Sequence, residues 1–225
     1  MAELCTIVGC GPTMGRHIAL TFAAEGFDLA LIARSEDPLT SIAEEAKQAG
    51  AGTVTTATAD VTDEESIRSA LEAIQDRMGV PAVTIYNVAT MVKTPPSELT
   101  APEVIDTLPA MFFGALYTTA AVLPGMRRRG SGTLLYTGGG FGILPATFTA
   151  SHSVGKAALR NWVQNLHAEL KPEGINVATV TITRPVTEGG TYDGATIAQH
   201  YLEFHRQATE RAPEEWEWEI IHKEL

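Results

Sequence analysis

The sequence contains very little cysteine, and this scarcity excludes one class of fold. Of its 225 residues, only Cys5 and Cys10 are cysteine. Two cysteines are too few for a framework of disulfide bonds, and so little cysteine is typical of a reducing compartment. We therefore expect a cytoplasmic protein without structural disulfides.

Basic residues and long apolar runs are also scarce. Sixteen lysines and arginines stand against 27 aspartates and glutamates, which gives a formal net charge of −11. Such a chain offers no basic surface to nucleic-acid phosphates or to an anionic membrane, so we expect neither as a partner. The first residues lack the features of a signal peptide, and we expect no membrane-spanning helix.

Short apolar runs, often rich in β-branched residues, recur along the chain and predict strands. Segments with helical periodicity separate these runs, and this alternation is typical of a parallel sheet covered on both faces. The sequence predicts a single α/β domain over residues 1–225 with a doubly wound parallel sheet. The predicted strands lie at 4–9, 28–33, 53–59, 82–87, 133–138 and 175–182.

The fourth predicted helix spans about 100–128 and contains a proline. Thr100 and Glu103 stand at the spacing of a capping box, which marks the helix start. Pro109 removes one backbone donor from the helix interior, so we expect a kink there.

Residues 195–225 depart from this strand–helix alternation. The segment begins with helical periodicity and then alternates apolar and acidic residues over 214–221, as a strand does. The alternation places Trp216, Trp218 and Ile220 on one face. That face is expected either to close over the core of the chain or to pack against a second subunit.

A glycine-rich loop follows the first predicted strand and opens directly into the first predicted helix. Glycine permits a sharp turn and a close approach of backbone amides to a pyrophosphate, and a helix N-terminus favours anions. This position within a strand–helix–strand unit predicts a dinucleotide site. The candidate cofactor-binding residues of the loop are Gly9, Gly11, Thr13, Met14 and Gly15.

The second predicted strand ends without an acidic residue. An acid at that point would accept hydrogen bonds from the ribose hydroxyls of NAD, but this chain has Arg34 and Ser35. A guanidinium and a hydroxyl suit a 2′-phosphate. We therefore expect NADP(H) as cofactor, with NAD(H) less favoured.

Beyond this loop the chain resembles the short-chain dehydrogenase/reductase family, as far as about residue 187. Asp60-Val61 follows the third strand, Asn87-Val88-Ala89 resembles the family's Asn-Ala-Gly, and residues 155–180 resemble its fifth helix and sixth strand. The resemblance implies a Rossmann-like fold, a nicotinamide dinucleotide, hydride transfer with a small carbonyl or alcohol, and a homodimer or homotetramer. It adds to the expected cofactor contacts Asp60, Val61, Asn87, Lys156 and Thr187.

The catalytic positions of that family are largely replaced in this chain. His152 stands four residues before Lys156, where the family has tyrosine, and Gly139 and Met111 replace its serine and asparagine. The lysine is kept. Pro185 stands where a backbone N–H would contact the nicotinamide carboxamide, and proline has no such hydrogen.

At this spacing His152 and Lys156 leave one face of a helix, so the ammonium is expected to lower the pKa of the imidazole. Thr137 is the nearest hydroxyl on the preceding strand and a candidate for the role of the serine. One hypothesis is an NADP-dependent oxidoreductase that uses His152, Lys156 and Thr137. The alternatives are a catalytically silent dinucleotide-binding protein, and a non-redox lyase, isomerase or cyclase with His152 as base.

Overall fold

The computed structural model describes residues 2–144 and 146–223. Its strands form one sheet in the order β3-β2-β1-β4-β5-β6-β7, in which all neighbouring strands are parallel. The chain winds outward from β1 in one direction and from β4 in the other, so the predicted doubly wound, Rossmann-like sheet is confirmed. The strands are β1 (Leu4–Val8), β2 (Asp28–Ala33), β3 (Val54–Thr58), β4 (Val83–Tyr86), β5 (Gly132–Gly139), β6 (Ile175–Ile182) and β7 (Glu219–His222).

Helices cover both faces of this sheet. Successive residues of a strand point to opposite faces, so Leu31 joins the core on one side and Ile32 the core on the other. The helices are α1 (Met14–Ala24), α2 (Asp37–Ala49), α3 (Glu64–Met78), α4 (Ala101–Leu108), α5 (Gly114–Arg129), α6 (Ala150–Leu170) and α7 (Gly194–Glu210). Side chains of α1, α2 and α7 form the first core, and those of α3, α5 and α6 form the second.

The predicted long helix over 100–128 is two helices joined by a π-helical turn, Pro109–Phe113. The N–H of Gly114 bonds to the carbonyl of Pro109, one residue further back than in an α-helix. The carbonyl of Ala110 accepts instead from the hydroxyl of Tyr86, at 2.7 Å. The hydrogen-bond register therefore shifts by one residue within this turn, and the kink expected at Pro109 stays a prediction.

Half of the predicted capping box is formed at α4. The hydroxyl of Thr100 accepts from the N–H of Glu103 at 3.4 Å. The carboxylate of Glu103, however, accepts from the hydroxyl of Thr94 at 2.7 Å. The predicted start of the helix is confirmed, and Glu103 binds Thr94 in the loop that precedes the helix.

One segment, Ala101–Arg129, is long and apolar enough to cross a membrane by length and composition alone. This corrects the expectation that no segment of the chain meets that criterion. Core helices of soluble proteins meet it too, and Ala115, Val122 and Met126 of this segment are buried in the second core. On its own the criterion is weak evidence for a membrane span.

The C-terminal segment contains the predicted helix and a shorter strand than expected. Trp216 is buried, and its indole N–H donates to the carbonyl of Arg211 at 3.1 Å, so Trp216 belongs to the core of its own chain. Trp218 packs on the second core, whereas Ile220 packs on the first. The predicted common face was wrong, because both tryptophans precede β7 and strand alternation does not extend to them.

Candidate active site

A cleft opens at the carboxyl ends of β1, β2 and β4, where the order of the sheet reverses. Doubly wound sheets bind ligands at such a switch point. We call this space, of about 170 Å³, the switch-point cleft. Its lining residues are Gly9, Gly11, Ala33, Arg34, Ala59, Val61, Asn87, Val88 and Ala89.

The glycines of the loop after β1 serve two different purposes. Gly9 has a φ of 85°, and a Cβ there would lie 2.4 Å from the carbonyl oxygen of Asn87. A Cβ on Gly15 would lie 2.7 Å from Cα of Cys10. Gly11 differs, because apart from its chain neighbours no described atom lies within 4 Å of its Cβ position, and its N–H donates to the carbonyl of Gly9 at 2.9 Å. Gly9 and Gly15 thus allow close packing, while Gly11 leaves open the side on which a Cβ would stand.

Helix α1 begins beside this loop without a side-chain cap. Among the described residues, no side chain caps its first turn, and that turn, from Met14, carries no acid; Thr13 is the N-cap residue. Helices α3 and α7, by contrast, are capped by Asp63 and Asp193. The positive end of α1 therefore keeps amide donors for an anion in the switch-point cleft.

The residues predicted to contact the adenosine lie in or near the far rim of the switch-point cleft. Arg34 lines the switch-point cleft, Ser35 is exposed beside it, and Val61 is a buried lining residue. Asp60 accepts hydrogen bonds from the backbone N–H and hydroxyl of Thr62, at 2.9 and 2.8 Å. These bonds, followed by the charge of Arg34, hold the pKa of Asp60 below its usual value.

Asn87 connects the glycine loop to the centre of the sheet. Its Nδ2 donates to the carbonyl of Gly9 at 2.9 Å, and its Oδ1 accepts from Thr137 Oγ1 at 2.8 Å. Thr137 Oγ1 also lies 2.7 Å from the hydroxyl of buried Tyr201. Since threonine has one hydroxyl proton, Thr137 accepts from Tyr201. Contrary to the expected catalytic role, Thr137 has no proton left to polarise a substrate carbonyl.

A second cavity, of about 460 Å³, adjoins the switch-point cleft, because Ala89 lines both. We call it the reaction cavity. Its walls are mostly apolar, and α6 contributes two titratable side chains to them. The lining residues are Ala89, Met91, Thr137, Gly138, Gly139, Gly140, Phe141, Phe148, His152, Lys156, Ile182, Thr183, Arg184, Pro185 and Val186.

Lys156 is buried at the floor of the reaction cavity. Its ammonium donates to the carbonyls of Thr137 and Val88, at 2.6 and 3.3 Å. Burial lowers the pKa of Lys156 to about 8. An ammonium carries three N–H donors, so one is left for a ligand. A Cβ on Gly139 would lie 3.2 Å from Cγ of Lys156, so this glycine lies along the lysine stem.

His152 has a defined tautomer. Its Nδ1 lies 2.8 Å from the carbonyl oxygen of Thr90, which can only accept, so Nδ1 carries the proton. In the neutral ring, Nε2 is then an acceptor. The pKa of His152 is lowered, first by burial and to a lesser degree by the charge of Lys156, against the raising effect of Thr90. The predicted direction is confirmed, but burial is its largest cause.

The backbone of Thr90 bonds to the side chains at two of the positions where the family's catalytic residues are replaced, Met111 and His152. Its N–H donates to the sulfur of Met111 at 3.2 Å, while its carbonyl accepts from His152. Met111 lies in the π-helical turn, and a Cβ on Gly155 would approach Cβ of Met111 to 2.6 Å. Sequence reasoning missed Thr90, because its backbone and not its side chain makes both bonds.

Thr187 lies apart from these groups. Its N–H donates to the carbonyl of Tyr192 at 2.9 Å, and its hydroxyl donates to the carbonyl of Gly189 at 3.2 Å. It is not among the described residues that line the reaction cavity, whereas Pro185 is. The contact of Thr187 with a cofactor stays a prediction.

Comparison of sequences finds short-chain dehydrogenases and reductases. The profile of the short chain dehydrogenase family matches residues 3–190. The very-long-chain 3-oxoacyl-CoA reductase of Aspergillus fumigatus is 33% identical over 177 residues, which are 77% of this chain and 51% of that protein. That of Schizosaccharomyces pombe is 32% identical over 182 residues, 76% of this chain and 53% of that one. The chain thus spans about half the length of these relatives.

Solved structures share the fold over almost the whole chain. A short-chain dehydrogenase from Rhodopseudomonas palustris superposes with a TM-score of 0.85 at 24% identity and covers 99% of both chains. An alcohol dehydrogenase from the archaeon Thermococcus sibiricus, complexed with 5-hydroxy-NADP, gives 0.84 at 22% identity and covers 100% of this chain and 99% of its own.

Proposed function

Because the chain belongs to the short-chain dehydrogenase family of oxidoreductases, we propose that it is an NADP-dependent oxidoreductase that interconverts a small carbonyl compound and its alcohol. The observation that carries this proposal is the placement of His152 and Lys156 in a reaction cavity that adjoins the switch-point cleft. A proton-transfer group and a cation thereby lie beside the place where a dinucleotide fits.

The switch-point cleft fits the diphosphate of such a cofactor. The open side of Gly11 and the uncapped amides of α1 suit a pyrophosphate. Arg34 and Ser35 would hold the 2′-phosphate of NADP. By resemblance to the family, Asp60 would hold the adenine amino group. When bound, the nicotinamide supplies or takes up a hydride.

His152 is the proposed acid and base. Its neutral ring presents the Nε2 lone pair, which takes the hydroxyl proton of an alcohol during oxidation. In the reverse direction the same nitrogen returns that proton to the carbonyl oxygen, which requires the imidazolium. Because burial disfavours the imidazolium, the site favours alcohol oxidation near neutral pH.

Lys156 is the proposed stabiliser of negative charge on the substrate oxygen. Gly139 has no hydroxyl, and the proton of Thr137 is already donated to Asn87. The third N–H of the Lys156 ammonium is therefore left to polarise that oxygen. Loss of one such donor typically costs about 10²- to 10³-fold in rate, so we expect slow turnover.

We also propose a homodimer or homotetramer in the cytoplasm. Membership of the family supports a homo-oligomer, and the scarcity of cysteine suits a reducing compartment. Sedimentation of the purified protein tests the first point, and a monomer at micromolar concentration would contradict it.

The decisive experiment follows nicotinamide absorbance with NADPH and a panel of carbonyls, and with NADP⁺ and the matching alcohols. We expect turnover by the wild type and its loss in His152→Phe, with nearly unchanged NADPH affinity. His167→Phe is the matched control, because His167 also lies on α6 and also uses Nδ1 to bond a carbonyl, that of Val177. Wild-type rates in His152→Phe would remove His152 from the mechanism.

A catalytically silent dinucleotide-binding protein is the second candidate. The absence of a free hydroxyl donor at Thr137 and Gly139 favours it. Tight NADPH binding without turnover of any carbonyl or alcohol in the panel would support this function and contradict the first.

A further inference from the structure

The reaction cavity continues into a larger space near the protein surface, which we call the outer groove. The outer groove has a volume of about 710 Å³. Phe141 and Phe148 line both spaces and meet edge to face, with ring centroids 5.5 Å apart. Phe141 also meets the ring of His152 edge to face at 5.6 Å. An unbroken aromatic wall therefore leads from the proposed acid/base to the outer groove.

Apolar side chains are exposed along this path. Leu144 is 72% exposed and Phe148 is 50% exposed. Large apolar side chains gain free energy when they leave water, and a contiguous group of them marks a binding surface more than scattered ones do. Of the eight large apolar side chains that are exposed in the described residues, five line the reaction cavity or the outer groove: Met91, Ile143, Leu144, Phe148 and Ile221.

We propose that the outer groove binds the apolar tail of the substrate, so that the enzyme selects carbonyl compounds or alcohols with a chain of several methylenes. This inference rests on the proposed function, because the reacting carbon must lie beside His152. Continuity with the reaction cavity identifies the occupant: a chain that starts at His152 and follows Phe141 and Phe148 reaches the exposed residues. A covering protein or membrane would bury the outer residues without using this path.

A series of unbranched methyl ketones, from 2-butanone to 2-decanone, tests the proposal with the 225-residue chain and NADPH. Each methylene that enters the groove is expected to raise kcat/KM about two- to fourfold, mainly through KM. In Leu144→Asp and Ile143→Asp, at two residues that line the outer groove but not the reaction cavity, the dependence on chain length is expected to flatten, while 2-butanone is reduced as before. Ile105→Asp is the matched control, because Ile105 is 65% exposed on α4 and lies outside the groove.

Two results would contradict the proposal that the outer groove binds the substrate tail and leave the proposed function intact. One is turnover that does not depend on chain length. The other is a changed sedimentation coefficient in Leu144→Asp with an unchanged chain-length dependence, which would identify the surface as a subunit interface.

If no ketone is reduced and no matching alcohol is oxidised, the proposed function fails, and binding alone tests the groove. Calorimetry with 2-decanone and 2-butanone on the wild type and Leu144→Asp is then the measurement. Tighter binding of 2-decanone that Leu144→Asp removes would support the groove, and equal binding of the two ketones would overturn it.

Discussion

His152 can accept or donate a proton at Nε2 according to its charge, and the carbonyl of Thr90 fixes which nitrogen faces the cavity. The same residue binds the sulfur of Met111 through its N–H. The replacements at these two positions are thus linked through one residue of the chain. A substitution at Met111 is therefore expected to move His152, although the two side chains share no direct hydrogen bond in the described structure.

The pH dependence of alcohol oxidation follows from the two titrating groups. Oxidation needs neutral His152, whose pKa is lowered from its usual value of 6.5, so the rate is expected to fall only on the acid side of pH 6.5. It also needs charged Lys156, whose pKa is about 8, so the rate is expected to fall as pH rises through about 8. Initial rates from pH 5 to 10 measure both limbs.

The variant Lys156→Arg separates these limbs. A guanidinium stays charged throughout this range, so a folded Lys156→Arg protein is expected to lose the alkaline limb and keep the acid one. A persistent fall near pH 8 in this variant would contradict the assignment to Lys156.

Arg34 is expected to decide between NADPH and NADH. Removal of its guanidinium in Arg34→Ala should weaken NADPH binding about 10- to 100-fold, the usual cost of hydrogen bonds to a charged group, and leave NADH nearly unchanged. Calorimetry measures both. Arg206→Ala is the control, because Arg206 is an exposed arginine paired with Glu25. Equal weakening of both cofactors would refute the role of Arg34.

Sequence spacing could place His152 and Lys156 on one face of α6, because residues four apart in a helix share a face. It could not show that the hydroxyl of Thr137 is shared between Asn87 and Tyr201, since Tyr201 comes from a distant helix. Nor could it reveal Thr90, whose contribution does not depend on its side chain.

At the scale of elements, the π-helical turn Pro109–Phe113 is what brings Met111 to the site. Its register shift frees the carbonyl of Ala110, which the buried hydroxyl of Tyr86 satisfies. Sequence could flag Pro109 as a disturbance of the helix, but the register shift involves a partner from β4 that the sequence does not reveal.

Tyr86→Phe tests the hydrogen bond between the hydroxyl of Tyr86 and the carbonyl of Ala110. The variant leaves the carbonyl of Ala110 without its donor and is expected to lower the free energy of unfolding by about 1–3 kcal/mol. Urea denaturation measures it. Tyr117→Phe, on the partly exposed face of α5, is expected to change it by less than about 0.5 kcal/mol. Equal effects of the two substitutions would show that the Tyr86 hydroxyl does not hold the turn.

At the scale of the whole molecule, the sheet order brings the glycine loop, Arg34 and Asn87 to one edge. Six strands were predictable: five are largely buried and rich in apolar residues, and the partly exposed edge strand β3 is rich in β-branched residues. The C-terminal segment was harder, because the alternation around Trp216 and Trp218 comes from packing on different elements and not from a regular strand.

A crystal structure of the protein with NADP⁺ is the sharpest test of the proposed site. We predict a diphosphate on the first amides of α1, the 2′-phosphate at Arg34, and the nicotinamide ring in the reaction cavity beside His152 and Lys156. A ring directed away from that pair, or crystals soaked in millimolar NADP⁺ with nothing in the switch-point cleft, would contradict it.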